Sequence, residues 1–368
     1  MQKMNVRRVL LFLLISCTSF YGLYHRVSAQ PILTDVSYQT IDTVYGSIQV
    51  SEPVIIEILK SAPMQRLKEI NQYGVMAFIR PEQKYTRYEH SLGVFYLLRH
   101  FGASLEEQVA GLLHDISHTA FSHVADFLHG THKDKYSYQD TIFKEYLITT
   151  GLFAILKKYG FERVAEFGKT VEYKMLKDDL PNLCADRLEY NLYGGLVEGW
   201  LTPQEIREIV QAVRYVAGRW IFTTTQAAEK FARISIDLSV QNWCSAENAV
   251  ASTTLADILK RGFDQGIITQ NDFHYTTDIL VWNKLRNASD DIIKQWFIRL
   301  DNLTHAYQEG TSEQHDLHFS GKFRGIDPLV CQDGLKQVKR LSEIKSDFAR
   351  YLHNQEQMCR EFFIRYVL

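Results

Sequence analysis

Cysteine and proline are scarce in this sequence, and the pattern of the cysteines excludes two kinds of site. The 368 residues include five cysteines and seven prolines, and no two cysteines form the C-x-x-C pair typical of zinc or thiol redox sites. Cys17 lies near the N-terminus, and the others are scattered as Cys184, Cys244, Cys331 and Cys359. These four could form two disulfides in an oxidising compartment, but their spacing does not demand it, so we predict isolated buried thiols.

The sequence also lacks a charge excess of either sign. Its 41 basic and 43 acidic residues give a formal net charge of −2 and a pI near 6.7, which provides no strong signal for nucleic-acid binding. No repeat or low-complexity segment stands out. Hydrophobic residues make up 46% of the chain and aromatic residues 12%, enough for the core of one large domain or two modest ones.

Long apolar runs are absent except at the N-terminus. There, three basic residues within the first eight precede V-L-L-F-L-L-I-S-C-T-S-F-Y-G-L, a run typical of a secretory signal and short for a spanning helix. Two endings compete: cleavage after Ala29, or a lipoprotein-like L-I-S-C box lipidated at Cys17. The segment could instead be an uncleaved membrane anchor, or the start codon could be wrongly assigned. We expect an exported or membrane-anchored protein, with a cytoplasmic one as the alternative.

Hydrophobic periodicity predicts a mainly α-helical protein with a small β-hairpin element. Residues 31–52 alternate and favour β-branched side chains, which predicts a short strand or hairpin, and residues 219–225 predict another strand. From Pro53 onward apolar residues recur every three to four positions, as in helices. A loop is expected over 305–334 and helix over 335–363. The predicted parts are a signal-like or lipoprotein-like segment at 1–30, a catalytic body at 31–300, and a loop with a C-terminal helical extension at 301–368.

One mostly apolar segment carries many titratable side chains. Residues 112–126 read L-L-H-D-I-S-H-T-A-F-S-H-V-A-D, and burying unpaired charges is costly. Because His114 and Asp115 are adjacent, they converge on one metal ion only near a helix end. With His90 and Asp186, which lie in similar apolar settings, they would give a divalent ion a mixed nitrogen and oxygen shell. The alternative is a set of core histidines and helix-capping aspartates.

The order of these residues resembles a known family. His90, His114-Asp115 and Asp186 follow the H…HD…D order of the HD-domain metal-dependent phosphohydrolase superfamily. The sequence most resembles its deoxynucleoside triphosphate (dNTP) triphosphohydrolases, including the sterile-alpha-motif-linked branch. The segments that carry the likeness are M-Q-R-L-K-E-I-N-Q-Y-G, R-Y-E-H-S-L-G and L-L-H-D-I-S-H-T-A-F-S-H. The likeness extends from about residue 42 to 195 and is faint beyond about 260.

The resemblance implies an HD-domain helical core and one divalent metal ion, with no distinction among Mn, Mg, Fe, Zn and Ni. The implied metal ligands are His90, His114, Asp115 and Asp186. The implied catalytic residues are His118, His123 and Asp126. The implied substrate contacts are Arg87, Arg187, Tyr190 and Gln72. In this scheme His118 contacts phosphate or orients water, Asp126 holds His123 as the acid/base group, and the arginines bind phosphate.

The sequence departs from the family pattern at three places. Ser117 replaces the usual glycine, Y-S-Y-Q-D at 136–140 replaces a further catalytic His followed by Glu, and Tyr193-Gly194 replaces an Arg-Asp pair that contacts the sugar. The missing groups face the leaving phosphates and the sugar rather than the metal. The resemblance therefore supports phosphohydrolase chemistry more firmly than it supports a particular substrate.

The expected function is hydrolysis of a nucleotide, with a dNTP split into deoxynucleoside and triphosphate as the first candidate. The alternatives are a phosphodiesterase or phosphatase acting on another nucleotide, and a non-catalytic metal-containing module that binds a nucleotide. We also expect a homo-oligomer, and membrane attachment only through the N-terminal segment.

Overall fold

The N-terminal half of the described chain is built around a buried helix whose start is fixed by a capping box. The computed structural model describes residues 38–131, 137–332, 337–359 and 361–367, so the predictions for 1–30, Cys17 and Ala29 lie outside the described residues. Helix α4 (Arg87–His100) begins where Thr86 accepts a hydrogen bond from Glu89 N and the Glu89 carboxylate accepts one from Thr86 N. Such reciprocal capping satisfies amide groups that the first turn leaves unpaired.

The other elements of this half surround α4. A hairpin of β1 (Gln39–Thr43) and β2 (Gly46–Val50) pairs Gln39 with Val50 and Thr43 with Gly46. The helices are α1 (Pro53–Lys60), α2 (Ala62–Arg66), α3 (Met76–Ile79), α5 (Leu105–Leu113), α6 (Val124–His129), α7 (Tyr138–Thr149), α8 (Leu152–Tyr159) and α9 (Ala185–Val197). Helix α4 packs against both α5 and α9, so residues from three helices can meet at one place.

The C-terminal half combines helices with two further sheets. Its helices are α10 (Pro203–Gln211), α11 (Thr225–Leu238), α12 (Ala246–Asp264), α13 (Gln270–Tyr275), α14 (Asp278–Arg286), α15 (Asp291–Asp301), α16 (Leu341–Ile344) and α17 (Ser346–Glu356). Its strands are β3 (Val213–Val216), β4 (Arg219–Phe222), β5 (Tyr307–Glu309), β6 (Leu317–Ser320), β7 (Leu329–Gln332), β8 (Gln337–Arg340) and β9 (Glu361–Tyr366). One sheet has the order β3-β4-β7-β8, with β4 and β7 parallel, and the other has the order β5-β9-β6, all antiparallel.

The mainly α fold, the N-terminal hairpin and the strand near residue 219 are confirmed. The predicted loop over 305–334 is wrong, since it contains β5, β6 and β7, and the predicted helix over 335–363 is interrupted by strands at both ends. These strands are three to six residues long, so local alternation gives little signal. Strands β5 and β6 pair with the distant β9, and β7 pairs with the distant β4 as well as with the neighbouring β8. Tyr38–Leu368 form one compact unit.

The prediction of isolated thiols is wrong for two cysteines. Cys244 and Cys359 form a disulfide with a Cα–Cα distance of 5.3 Å, across 115 residues of sequence. Cys184 is a buried thiol, as predicted. The disulfide joins the start of the α12 region to the segment before β9. Within the described residues, no helix has both the length and the apolar character to cross a membrane.

Candidate active site

His114 and Asp115, which as neighbours in a helix would point in different directions, lie at a helix end. Helix α5 stops at Leu113, and His114 is its C-terminal cap. The Nδ1 atom of His114 lies 2.7 Å from Gly111 O, which makes Nδ1 the donor and leaves Nε2 free to act as a metal ligand. Both side chains are buried. The chain turns here, so the side chains of two successive residues can reach the same point, as predicted for a pair near a helix end.

The four predicted metal ligands lie together. From His90 Nε2, His114 Nε2 is 3.1 Å away, Asp186 Oδ1 3.3 Å and Asp115 Oδ2 3.4 Å. Asp186 Oδ1 is also 3.7 Å from His114 Nε2. His90 is on α4, His114 and Asp115 follow α5, and Asp186 is in the first turn of α9.

The charges around this cluster suit a divalent cation. Burial opposes protonation of His90, but the carboxylates of Glu189, Asp186 and Asp115 outweigh it and raise the pKa of His90 to about 10. The cluster therefore favours positive charge at its centre. A divalent ion supplies that charge, and neutral imidazoles with carboxylates form a donor set that many divalent metals accept. The residues fit one divalent metal ion and leave its identity open.

Glu189, which was not predicted, orients His90, one of the predicted metal ligands. It is completely buried, its Oε2 lies 2.5 Å from His90 Nδ1, and it accepts hydrogen bonds from the hydroxyls of Tyr85 and Tyr45. A carboxylate on the second ring nitrogen fixes the tautomer and raises the basicity of a histidine ligand. A Cβ at Gly93 would lie 2.7 Å from Glu189 Cδ, so glycine leaves room for this carboxylate.

Helical spacing could have revealed both residues. Glu189 follows Asp186 by three positions on α9, and Gly93 follows His90 by three positions on α4. Residues three apart share a helix face, so each lies beside a ligand that the sequence had already identified.

Arg87, predicted to bind phosphate, is held against the metal ligands. Its guanidinium forms an ion pair with Asp115, and its Nε donates to Ser122 Oγ at 3.0 Å. The side chain is only 2% exposed. Among the described residues, its terminal Nη2 has no hydrogen-bond partner. One donor of a fixed guanidinium is therefore available to a ligand.

The loop that seats Arg87 has an unusual backbone. Phe121 and Ser122 both adopt left-handed conformations, with φ of 62° and 53°, which non-glycine residues seldom occupy. The buried Asp278 carboxylate accepts hydrogen bonds from Phe121 N at 2.7 Å and Asn71 N at 2.8 Å, and Ser122 Oγ donates to Asn71 O at 2.6 Å. These contacts hold the strained pair in place. Burial raises the pKa of Asp278 to about 7, although the two amide donors oppose the shift.

The three predicted catalytic residues lie beside the metal ligands. His123 Nδ1 is 2.8 Å from Asp126 Oδ2, and the His123 side chain is 49% exposed. Burial opposes ionisation of Asp126, but His123 outweighs it and lowers the pKa of the carboxyl. His118 Nε2 is 3.5 Å from Asp115 Oδ1, and burial, helped by the Arg87 charge, lowers the pKa of His118 to about 3. His118 is therefore a neutral imidazole in this environment, whereas His123 faces the solvent side.

A cavity of about 290 Å³ connects these groups. The predicted site residues that line it are Gln72, Arg87, Asp115, His118, His123, Asp126, Asp186, Arg187 and Tyr190. Residues that were not predicted also line it, among them Lys177, Trp243, Asn248, Phe319, Lys322 and Arg324. All four predicted substrate contacts thus face one space. His90 and His114 lie behind it, on the buried side of the cluster.

The departures from the family pattern have visible structural consequences. Ser117 Oγ donates to Gln139 Oε1 at 2.7 Å, which ties the segment after the metal ligands to α7. Asp140, in the segment that replaces the expected catalytic pair, caps α7 and lines the cavity. Tyr193 donates to Glu89 at 3.1 Å and stacks on Tyr85 with ring centroids 4.1 Å apart. Tyr193 does not line the cavity, so it does not replace the sugar contact of the family.

Comparison with known proteins agrees with this geometry. The HD domain family model matches residues 87–181, which include three of the four ligands. The chain is 32% identical to the metal-dependent phosphohydrolase cns2 of Cordyceps militaris over 343 residues, covering 89% of this chain and 94% of that protein. It belongs to the HD-domain metal-dependent phosphohydrolases.

Two further likenesses are more limited. The deoxynucleoside triphosphate triphosphohydrolase SAMHD1 of Gallus gallus is 35% identical over 100 residues, covering 23% of this chain and 16% of that protein. The crystal structure of a phosphohydrolase from Bacteroides thetaiotaomicron superimposes with a TM-score of 0.64 at 17% identity, covering 90% of this chain and 99% of that chain. The latter likeness extends the shared fold to nearly the whole described chain.

Proposed function

We propose that this phosphohydrolase acts on a nucleotide, with a dNTP as the first candidate substrate. The cavity carries the proposal, because predicted metal ligands, cationic side chains and the aromatic side chains of Tyr190, Trp243 and Phe319 all line it. Phosphate needs the first two features, and a nucleobase or sugar suits the third. The local likeness to a dNTP triphosphohydrolase supports the choice of a dNTP.

The residues of the chain have separate tasks in this proposal. A divalent ion in the site would supply Lewis acidity towards the phosphoryl group and lower the pKa of water. Arg87 would direct its unpartnered Nη2 at a phosphoryl oxygen and balance the charge that develops there. Its contacts with Asp115 and Ser122 keep it oriented before substrate arrives.

His123 and Asp126 are proposed to transfer the proton. The imidazole lines the cavity and is half-exposed, so it can exchange protons with solvent. The Asp126 carboxylate stabilises the imidazolium, while Tyr138 N and Thr131 Oγ1 donate to its other oxygen at 2.6 and 2.9 Å. The pair would protonate the leaving oxygen. His118, buried and neutral, is proposed to contact a phosphate oxygen or orient the attacking water.

A phosphatase or phosphodiesterase acting on another nucleotide is the second candidate. Two observations favour it: Tyr193 is not among the residues that line the cavity, and a relative matched over 94% of its length is named only as a metal-dependent phosphohydrolase. The non-enzymatic alternative is a module that binds a nucleotide without hydrolysing it.

A substrate panel tests these functions. The purified protein is incubated with Mn²⁺, Mg²⁺ or Fe²⁺ and with dNTPs, NTPs, nucleoside monophosphates and cyclic nucleotides, and the products are separated by chromatography. A dNTP triphosphohydrolase releases tripolyphosphate and deoxynucleoside, whereas a phosphatase releases orthophosphate. Asp115→Ala is the inactive control. Binding of a nucleotide without turnover under any metal would refute the enzymatic proposal and identify a binding module.

We further propose that the protein is exported or membrane-anchored through its N-terminal segment. The Cys244–Cys359 disulfide supports export because such bonds persist in oxidising compartments. N-terminal sequencing and intact mass of the native protein distinguish a chain beginning at Gln30 from one lipidated at Cys17. A cytosolic chain that retains Met1 would refute export. The predicted homo-oligomer remains a prediction that sedimentation velocity can test.

A further inference from the structure

A segment far from the metal ligands in sequence forms part of the cavity. Residues 319–324, here called the C-terminal wall, follow Asp186 by more than a hundred positions. Phe319, Ser320, Lys322 and Arg324 line the cavity together with the metal ligands Asp115 and Asp186. The HD domain match ends at residue 181, so the wall lies outside the matched domain.

Several contacts hold the C-terminal wall against the catalytic body. Phe319 stacks on Phe127 with ring centroids 5.9 Å apart, and Phe127 is next to the catalytic Asp126. The backbone amide of Arg324 donates to Ser239 Oγ at 2.8 Å. A Cβ at Gly321 would lie 3.2 Å from the Cβ of Cys244, so the wall lies directly over the disulfide.

The wall brings two cations to a third. Lys322 and Arg324 line the same cavity as Arg187, and burial together with the charges of Arg324 and Arg187 lowers the pKa of Lys322. The Lys322 ammonium is therefore close enough to both guanidiniums for electrostatic repulsion. Within the described parts of the chain, none of the three forms an ion pair with a carboxylate. The carboxylates of Asp186 and Asp178 partly offset the charge of Arg187, but the charges that act on Lys322 are those of the two guanidiniums, so an added anion would stabilise this group.

The phosphoryl group at the metal does not account for these charges. Arg87 already lies beside Asp115 with one donor unpartnered, and an ion in the site would add its own charge. Arg87 and the metal ion would therefore bind one phosphoryl group without any contribution from the wall. Of the other cations in the lining, Lys177 pairs with Asp140, whereas Arg187, Lys322 and Arg324 suit a different anionic group on the same substrate.

We propose that Lys322 and Arg324 of the C-terminal wall, together with Arg187, form a specificity subsite for a second phosphate of the substrate, beyond the phosphoryl group at the metal. The proposal rests on the proposed function and narrows it, since it selects nucleoside di- and triphosphates over monophosphates. The chemistry is that of phosphate recognition by converging cationic donors.

The test compares selectivity between substrates that differ only in phosphate number. For the double variant Lys322→Gln/Arg324→Gln, the ratio of kcat/KM for a dNTP to kcat/KM for the corresponding monophosphate is expected to fall at least about tenfold, mainly through KM of the dNTP. The charge-conserving double variant Lys322→Arg/Arg324→Lys should keep most of the ratio. The double variant Lys60→Gln/Lys169→Gln removes two exposed charges that do not line the cavity and should leave the ratio unchanged. A ratio in the glutamine variant within twofold of the parent would overturn the subsite while leaving the phosphohydrolase function intact.

A binding measurement keeps the proposal testable if no nucleotide is turned over. The metal-loaded parent and the three double variants are titrated calorimetrically with inorganic tripolyphosphate. The subsite predicts an affinity at least about tenfold weaker in the glutamine variant alone, and equal affinities would overturn it. Absence of turnover with intact tripolyphosphate binding would reject the proposed function and retain the subsite. Equal melting temperatures confirm that the substitutions, at two exposed positions, leave the fold intact.

Discussion

Replacing Glu189 should weaken metal binding without removing any ligand. Glu189 is buried, with one oxygen 2.5 Å from His90 Nδ1 and with two tyrosine hydroxyls as further donors. When Nε2 of His90 binds a metal, Nδ1 carries the ring proton and donates a hydrogen bond to the Glu189 carboxylate. Removing the negative charge therefore lowers the basicity of the ligand and loosens its orientation.

The size of the effect follows from what the replacement retains. In Glu189→Gln, the amide oxygen in the place of Oε2 can still accept from His90 and Tyr85, and the amide NH₂ in the place of Oε1 can donate to the hydroxyl of Tyr45. The loss should then be about tenfold in metal affinity, or roughly 1.4 kcal/mol. Glu189→Ala leaves the His90 N–H buried without an acceptor, and the loss should approach 100-fold, or roughly 2.7 kcal/mol.

Calorimetric titration of metal into chelator-treated protein measures the effect. Glu107→Gln is the matched control, because Glu107 is a half-buried carboxylate that accepts from Met175 N and Leu176 N at 2.8 and 3.1 Å and does not contact the metal ligands. Activity of the Glu189 variants should recover as metal is raised to saturation. Metal affinity in Glu189→Gln within twofold of the parent would refute an orienting role for the carboxylate.

Four more perturbations probe the same geometry. Asp115→Ala should abolish metal binding and activity together, and elemental analysis showing about one metal per chain in this variant would contradict its role as a ligand. His123→Ala should lower kcat by about 10²-fold with metal retained, and unchanged turnover would exclude it as the acid/base group. Gly93→Ala should weaken metal binding because its Cβ would displace Glu189, which an unchanged metal titration would disprove. The pKa of Asp278, raised to about 7, means that the folded state holds one more proton than the unfolded state from about pH 4 to 7. Stability should therefore fall as pH rises through that window, by up to about 1.4 kcal/mol per pH unit, and urea unfolding of Asp278→Asn should lack this contribution. Equal pH slopes in parent and variant would contradict the shift.

The His114-Asp115 part of the ligand cluster could be predicted from a local rule, whereas His90 and Asp186, on other helices, were predicted because their motifs resemble those of the family. An adjacent His114-Asp115 pair requires a helix end, and α5 ends there. His123 and Asp126 are three positions apart, and they pair. The same spacing rule would have found Glu189 beside Asp186, had it been applied outwards from each ligand.

The C-terminal wall could not be predicted in this way. Strand β6 is four residues long and pairs with β9 more than forty residues later, so its stability comes from partners that a local window does not contain. The Cys244–Cys359 disulfide is equally non-local. Nothing in the spacing of four cysteines selects one pair. Packing between distant segments determines both the position of the wall and the pairing of the cysteines, which local sequence patterns do not specify.

The position of the C-terminal wall in the sequence also determines the order in which the residues of the site are synthesised. Synthesis proceeds from the N-terminus, so a growing chain contains all four metal ligands once it has passed Asp186. The wall at 319–324 is synthesised more than a hundred residues later, and Cys359, the disulfide partner of the Cys244 that it covers, later still. If the wall selects substrates as proposed, an incomplete chain contains its metal ligands before it contains the residues that distinguish substrates.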